Sequence, residues 1–217
     1  HLPERFSSQR AIDRLTLPEP EEKLLLQQMI SHILQDAGYC YIGMDHYVLP
    51  GDELAIAQPE GRLQRNFQGY SLHMADDLLG LGVSAISQIG DFYLQNERQL
   101  DQYYALLDRD ELPATRGCKV SSEDKLRRHI IMSLISDLKL DIVECNRQFG
   151  IDFGRHFSRD LKALEPMQRD GLLTITDEEI SVTGRGRPFL RNICMPFDAY
   201  LGAHGGDEPP PRFSATV

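Results

Sequence analysis

Residues 18–48, PEPEEKLLLQQMISHILQDAGYCYIGMDHYV, decide the fold class. Pro20 and the acids around it are typical of a helix start, and Gly38 is typical of a helix end. Apolar residues recur between them at helical spacing and predict one inward stripe, formed by Leu26, Met29, Ile30, Ile33, Leu34 and Ala37. The aromatic and β-branched run at 39–48 then predicts a buried strand. A helix joined closely to a strand indicates an α/β fold.

A second predicted strand covers residues 76–87, DDLLGLGVSAIS. Strand alternation would place its larger apolar side chains on one face. The other face would carry Gly80, Gly82, Ser84 and Ile86. Such small residues would let a ligand or another stretch of backbone come close. A helix is predicted after it, at 96–112, with inward Leu100, Tyr103, Tyr104 and Leu107.

The segment RNFQGY, residues 65–70, has the composition of a ligand site. Arg65 could clamp a carboxylate, while Asn66 and Gln68 could form amide hydrogen bonds. Phe67 and Tyr70 offer flat surfaces on which a ring could stack. A loop that packs only against its own sheet accounts for the same residues equally well.

The composition is that of a folded, acidic protein. Apolar residues make up 41% of the 217 residues, which is enough for a hydrophobic core. The longest apolar runs are far shorter than the roughly 18 residues of a membrane span, and the polar start of the chain does not resemble a signal peptide. The net charge of −10 argues against a general nucleic-acid-binding protein, which needs a basic face.

The four cysteines lie far apart in the chain, so none has the close spacing of a zinc or iron–sulfur motif. We expect four reduced, mostly buried thiols in a cytoplasmic protein. No catalytic residue and no metal ligand are predicted in this chain.

The segment PATRGCKVSSEDK marks a predicted domain boundary, with a first domain at 1–117 and a second at 118–201. Ser121 or Ser122 is expected to cap the first of three helices in the second domain. The stretch 171–183 then predicts a β-hairpin.

Three helices followed by a hairpin resemble a winged helix. Its third helix, at 153–164 and ended or bent by Pro166, is not notably basic, so DNA binding is not favoured. The tail at 202–217 is rich in glycine and proline and is predicted to be disordered.

Three further patterns have both a functional and a plain structural explanation. Asp45 beside His46 follows a predicted strand and could do acid–base work, or could simply cap a loop. The sequence TGRGR, at 183–187, is similar to phosphate-binding loops but matches neither the P-loop nor the dinucleotide-binding fingerprint, and capping of the last helix is favoured. Arg127 and Arg128 fit a solvated or interdomain helix face.

Several long motifs, in this order, resemble oxygen-independent coproporphyrinogen III oxidases of the radical S-adenosylmethionine superfamily. They run from GYCYIGMDHYVLPGDELAIAQPEGRLQRNFQGY through DLLGLGVSAIS, YLQNERQLDQYY, RGCKVSSEDKLRRHII and DGLL to VTGRGRPFLRNICMPFDAYL. The resemblance covers the C-terminal half of that family. It implies that residues 1–117 are the last section of an incomplete α/β barrel and that the helical, winged-helix-like C-terminal domain follows.

The resemblance also implies an activity and its cofactors. Members of this family decarboxylate two propionates of coproporphyrinogen III to vinyl groups, giving protoporphyrinogen IX in haem biosynthesis. They use S-adenosylmethionine and a 4Fe-4S cluster held by a CxxxCxxC motif, which this chain lacks. We therefore expect a fragment that is inactive alone, binds no cluster, and has a missing N-terminal barrel half as its partner. By resemblance, Phe67, Gln68 and Ile86 match family positions that line the S-adenosylmethionine and substrate cavity.

A second group of the same superfamily, the haem chaperones, is an alternative to the oxidases. Haem chaperones of the same superfamily lack the oxidase activity and tend to carry a His-Asn…Tyr-Trp pattern. This chain has RNFQGY, no tryptophan and a long C-terminal domain, which favours the oxidase over a non-catalytic haem binder. A monomer in the cytoplasm is expected.

Overall fold

The computed structural model describes Pro3 and residues 6–66, 69–72 and 77–201. These residues form two compact units. The first combines His1–Leu63 with Ile130–Val217, and the second is Gln64–His129. The predicted domain boundary at 117/118 stays a prediction, and the tail at 202–217 lies outside the described residues.

The elements of the described residues follow each other in a mixed order of helices and short strands. In chain order they are α1 (Pro20–Asp36), β1 (Cys40–Gly43), β2 (His46–Val48), α2 (Glu53–Ala57), β3 (Gln64–Asn66), β4 (Gly69–Ser71), β5 (Ile86–Ile89), β6 (Phe92–Asn96), α3 (Leu100–Leu107), β7 (Ala114–Lys119), α4 (Ser122–Asp137), β8 (Lys139–Asp141), α5 (Ile142–Phe149), α6 (Phe153–His156), α7 (Ser158–Arg169), β9 (Leu173–Ile175), β10 (Glu179–Val182) and α8 (Leu190–Cys194). Short 3₁₀ turns, among them Arg187–Phe189, complete the set. The prediction of a fold that mixes helices and strands is confirmed.

The helix and strand predicted from residues 18–48 are present, with one correction. Helix α1 begins at Pro20 and is followed by Gly38 with φ at 89°. The single predicted strand is instead the antiparallel hairpin β1–β2, in which Tyr41 pairs with Tyr47. Met44 takes a left-handed φ of 54° and turns the chain back, which a continuous strand would not allow.

The apolar stripe of α1 is exposed. None of its 17 residues, all of which the structure describes, is buried. Large apolar side chains lie exposed along it: Leu25, Leu26, Met29, Ile30 and Ile33. Within the second unit, α3 likewise exposes Leu100, Tyr104 and Leu107. The prediction that these side chains point inward is wrong for this chain.

Most of the buried core of the first unit lies in its second segment, and the first segment contributes Ile42, Ala57 and Leu63. Phe153, Phe157 and Phe197 are fully buried, with ring centroids 4.8 to 6.4 Å apart. Burying each such ring stabilises the fold by about 2–3 kcal/mol. Fully buried aliphatic side chains also belong to this core: Ile130, Leu134, Leu140, Leu164, Leu173, Ile180 and Leu190.

A three-stranded antiparallel sheet in the order β8-β10-β9 belongs to this segment. Its β9–β10 pair confirms the hairpin predicted at 171–183, and Ile180 pairs with Ile175. Strand β8, which pairs Leu140 with Ile180, was not predicted. At three residues it is too short to show a period in the sequence.

Helix α7 corrects another boundary. The predicted third helix is divided at Phe157 into α6 and α7. Pro166 does not end α7, which continues to Arg169, and the N–H of Asp170 donates to the carbonyl of Pro166 at 3.0 Å. An interior proline removes one backbone hydrogen bond and crowds the carbonyl four residues before it, yet here the helix continues past it, with Leu164 fully buried two residues earlier.

The second unit contains the sheets β3–β4 and β5-β6-β7, both antiparallel. Strands β5 and β6 turn at Gly90, where φ is 52°. Helix α4 begins in this unit, where Ser121 Oγ accepts from the N–H of Asp124 at 3.1 Å, so the predicted serine cap is confirmed. None of the helices in the described ranges is long and apolar enough to cross a membrane.

The strand predicted at 76–87 is mostly absent. Strand β5 begins only at Ile86, and before it Leu78 forms an isolated bridge to Gln88. Between them the chain forms a loop, because Gly82 has φ at 101° and Ser84 has φ at 59°. Left-handed backbone interrupts the alternation on which the prediction depended, so the proposed face of small residues does not exist as such.

Candidate functional site

Strands β3 and β4 place Arg65 opposite Tyr70. The guanidinium carbon of Arg65 lies 5.0 Å from the centroid of the Tyr70 ring, a cation–π contact. Nη1 of Arg65 is buried and has no hydrogen-bond partner among the described residues. A buried donor without an acceptor is costly, so this atom is suited to receive an anionic group such as a carboxylate.

Of the three predicted cofactor-lining residues, the structure describes only Ile86. Phe67 and Gln68 lie outside the described residues, so their placement stays a prediction. Ile86 is the first residue of β5, pairs with Gln95 and is half-buried. Its partly open apolar side chain is compatible with lining a cavity.

The close approach expected at the glycines is made by the chain itself. A methyl group on Gly80 would lie 2.6 Å from the carbonyl oxygen of Ile86. Of the two alternatives, a ligand or another backbone, the backbone of Ile86 fills the space beside Gly80. Gly80 therefore brings the loop against β5 directly behind Ile86.

Two buried polar side chains hold this loop. Ser87 and Asn96 are 4% and 7% exposed. Ser87 Oγ accepts from the N–H of Gly80 at 2.9 Å, and Asn96 Nδ2 donates to the carbonyls of Gly80 at 3.2 Å and Gly82 at 2.9 Å. These residues satisfy backbone groups that the missing strand ladder would have paired. Sequence reasoning missed both, because serine and asparagine are common on surfaces.

Asp45 lies in the β1–β2 turn, and His46 is the first residue of β2. His46 Nδ1 is 2.9 Å from Asp45 Oδ1, and the Asp45 side chain is largely exposed. The predicted strand before them is β1, which pairs antiparallel with β2, so the two residues do not lie at the end of a parallel sheet. The pair itself is formed, and the hydroxyl of Tyr41 donates to the Met44 carbonyl beside it at 3.1 Å.

The TGRGR turn precedes the last helix but does not cap it with a side chain: Gly186 stands before the 3₁₀ turn Arg187–Phe189, and Phe189 is the N-cap residue of α8. Thr183 Oγ1 donates to the Gly171 carbonyl at 2.7 Å, and Gly186 donates to the Thr183 carbonyl at 3.0 Å. Arg187 leaves this turn and reaches β1, where it donates to the carbonyls of Tyr41 and Ile42. No local pattern indicates this contact.

The cysteines are not arranged as cluster ligands. All four are free thiols; Cys145 and Cys194 are buried, whereas Cys118 is exposed, so the expectation of mostly buried thiols holds for only part of the set. Burial raises the pKa of Cys145 to about 11 and that of Cys194 to about 12. Iron–sulfur ligands must be thiolates. Among the described residues no three His, Cys, Asp or Glu side chains gather where a metal could bind, so this donor set does not fit a 4Fe-4S cluster.

An open polar cleft of about 460 Å³ also belongs to the second unit. It is lined by Glu97, Arg98, Gln99, Gln102, Thr115 and Arg116. The backbone N–H groups of Gln99 and Arg98 donate to the Glu97 carboxylate and lower its pKa. None of the predicted site residues lines this cleft.

Comparison with known proteins identifies the family of these motifs. Residues 120–189 match the HemN C-terminal domain. Oxygen-independent coproporphyrinogen III oxidase of Escherichia coli is 48% identical over 202 residues, covering 93% of this chain and 44% of the relative. The Pseudomonas aeruginosa enzyme of the same name is 48% identical over 201 residues, with the same shares covered. The Synechocystis enzyme of that name is 43% identical over 197 residues.

A solved structure agrees. Coproporphyrinogen III oxidase (HemN) from Escherichia coli, described as a radical SAM enzyme, matches with a TM-score of 0.86 at 47% identity. The match covers 93% of this chain and 46% of that one, so the chain spans less than half the length of these relatives. Residues 120–189 thus match a HemN C-terminal domain, and the chain is similar over 93% of its length to oxygen-independent coproporphyrinogen III oxidases.

Proposed function

We propose that this chain is the C-terminal part of an oxygen-independent coproporphyrinogen III oxidase. The intact enzyme is an oxidoreductase that decarboxylates two propionates of coproporphyrinogen III to vinyl groups, giving protoporphyrinogen IX. The observation that carries this proposal is 48% identity across 93% of the chain together with a TM-score of 0.86. Both measures cover the second unit as well as the HemN C-terminal domain.

The chain's share of the work is to line the ligand cavity. Ile86, Phe67 and Gln68 are the residues proposed to contact S-adenosylmethionine or substrate. Arg65 supports this assignment, because its buried Nη1 offers a donor to a carboxylate, and both S-adenosylmethionine and coproporphyrinogen III carry carboxylates. Gly80, Ser87 and Asn96 hold the loop that leads into Ile86.

The 4Fe-4S cluster is proposed to bind in the N-terminal half that the relatives carry in addition. The protonated, buried Cys145 and Cys194 and the separate Cys40 and Cys118 do not form a ligand set for it. We therefore propose that this chain alone binds no cluster and has no oxidase activity.

The finer architecture is also a proposal. The helix-rich order of α4, β8, α5, α7, β9 and β10, with strand order β8-β10-β9, supports a winged-helix-like C-terminal domain. The segment before it is proposed to be the last section of an incomplete radical-SAM barrel that the N-terminal half completes.

The exposed stripe of α1 supports that partnership. Leu25, Leu26, Met29, Ile30 and Ile33 are 39–64% exposed, so each would gain about 0.6–2 kcal/mol on full burial. A 17-residue helix that exposes such a stripe in isolation has the pattern of one that packs against further structure. We propose the N-terminal barrel half as that structure, and a second copy of this chain as the alternative that light scattering would reveal.

The proposal also includes a cellular compartment and an oligomeric state. Four free thiols are compatible with a reducing cytoplasm, where we place the enzyme. We propose a monomer, and a mass by light scattering that equals one full-length chain would agree with it.

The test is an anaerobic assay of the full-length protein and of this chain under identical conditions. With reconstituted cluster, a reductant for that cluster, an electron acceptor, S-adenosylmethionine and coproporphyrinogen III, the full-length protein is expected to release CO₂ and form protoporphyrinogen IX, and the chain alone to form none. A full-length protein that binds haem stoichiometrically and releases no CO₂ would instead be the haem chaperone.

A further inference from the structure

Arg187 joins two segments of the first unit that are distant in sequence. Its Nη2 donates to the carbonyl of Tyr41 at 2.8 Å and to that of Ile42 at 3.1 Å. Its guanidinium carbon lies 4.5 Å from the centroid of the Tyr41 ring. One side chain thus combines two charge-assisted hydrogen bonds with a cation–π contact.

An irregularity in β1 makes these carbonyls available. The register of the hairpin shifts between Tyr41 and Gly43, so Ile42 has no partner in the β1–β2 register. Ile42 is fully buried, and a buried carbonyl needs a donor. Arg187 and Gln58 Nε2, which donates to the same oxygen at 2.5 Å, supply it. The bulge is therefore completed by side chains.

Tyr41 extends the contact to the turn. Its ring lies under the guanidinium, and its hydroxyl donates to the carbonyl of Met44 at 3.1 Å. Met44 has φ at 54°, a conformation that costs a non-glycine residue of order 1 kcal/mol. The next two residues are the paired Asp45 and His46. A fixed Tyr41 hydroxyl is suited to hold Met44 in this conformation.

The other end of the contact is rigid. A methyl group on Gly186 would lie 1.8 Å from the Leu172 carbonyl oxygen, so this turn packs tightly against the start of the β9–β10 hairpin. Thr183 fixes the same turn through its hydroxyl. Arg187 is thus presented to β1 from a turn that has little freedom to move.

We propose that Arg187 is a positioning residue that fixes Tyr41 and, through the Tyr41 hydroxyl, the turn that carries Asp45 and His46. The conformation of the turn at 43–46 then depends on the TGRGR turn, which lies far away in the sequence but in the same unit. This inference is independent of the proposed oxidase activity, since it concerns contacts within the first unit only.

The test is residue-resolved hydrogen–deuterium exchange on the 217-residue chain carrying Arg187→Lys. Lysine keeps the charge and loses the paired donors and the planar stacking group. Amides of β1 and β2 are expected to exchange at least about tenfold faster, while those of β9 and β10 stay within about twofold. Arg185→Lys, an exposed neighbour in the same turn, is the matched control and is expected to change neither.

A second variant separates positioning from general destabilisation. Tyr41→Phe removes only the hydroxyl, so its effect is expected at Met44 to His46 and not at the β9–β10 hairpin. In the double variant with Arg187→Lys, the effect at the turn is expected to be less than the product of the single effects, because both act through one contact. Unchanged exchange at the turn, or an equal acceleration throughout the chain, would overturn the proposal.

Discussion

Gly186→Ala tests how tightly the TGRGR turn is packed. The added methyl carbon would lie 1.8 Å from the carbonyl oxygen of Leu172, 2.8 Å from its carbonyl carbon and 3.1 Å from Cγ1 of Val182. The obstacle is backbone, so it cannot rotate away. The turn or the neighbouring hairpin has to move by about 1 Å, in a part of the fold packed as densely as a crystal.

The magnitude follows from the contacts that this movement breaks. Overpacking of this kind costs about 1–3 kcal/mol. The N–H of Thr183 donates to the Leu172 carbonyl at 3.0 Å, and the N–H of Gly186 donates to the Thr183 carbonyl at 3.0 Å. Each of these bonds contributes about 1 kcal/mol. We expect Gly186→Ala to lower the free energy of unfolding by about 3–5 kcal/mol.

Urea unfolding followed by far-UV circular dichroism measures this loss. With a slope of about 2 kcal/mol per M, the midpoint is expected to fall by about 1.5–2.5 M. The control is Gly184→Ala in the same turn, where an added methyl would have no described heavy atom within 4 Å. That variant is expected within about 0.5 kcal/mol of the parent. Equal midpoints for the two variants would refute the packing argument.

Three further outcomes are expected. Cys118, which is exposed, should react with a thiol reagent in the native protein, whereas the raised pKa and burial of Cys194 should keep it unreactive until unfolding; labelling followed by peptide mass spectrometry distinguishes them. Partial burial raises the pKa of the Asp137 carboxyl to about 6, so the folded state binds this proton more tightly than the unfolded state does. Stability should therefore fall as pH rises from about 4 to about 6, by less than about 1 kcal/mol because the residue is exposed enough for water to screen it, and Asp137→Asn should remove that dependence. On the proposed function, Ile86→Asp in the full-length protein should abolish decarboxylation and leave the cluster absorbance unchanged, since a charge on the proposed ligand face costs desolvation; normal turnover would show that Ile86 does not face the ligand.

Local signals were sufficient for elements with a clear period or cap. Helix α1 and the β9–β10 hairpin follow from helical spacing, helix-end residues and turn composition. The apolar stripe of α1 was recognised from its spacing, but its exposure could not be predicted. A period shows which face is apolar and does not show what covers it.

Backbone conformation and distant contacts were harder to predict. Alternation at 76–87 predicted a strand. The prediction fails because Ser84 takes a left-handed φ, a conformation that serine usually avoids. Ser87 and Asn96 act on a loop that only the folded chain brings near them. The contact between Arg187 and Tyr41 spans 146 residues of sequence, and no window of local pattern reaches that far.

That last contact has a consequence for synthesis on the ribosome. The β1–β2 hairpin emerges long before Arg187, and an isolated two-stranded hairpin is marginal in water. At 5–20 residues per second, the delay over this distance is about 7–30 s. We expect the bulged strand and its turn to stay open during that interval and to close only when the TGRGR turn has formed. Nascent chains stalled before and after residue 187 should differ in protease sensitivity at residues 40–48.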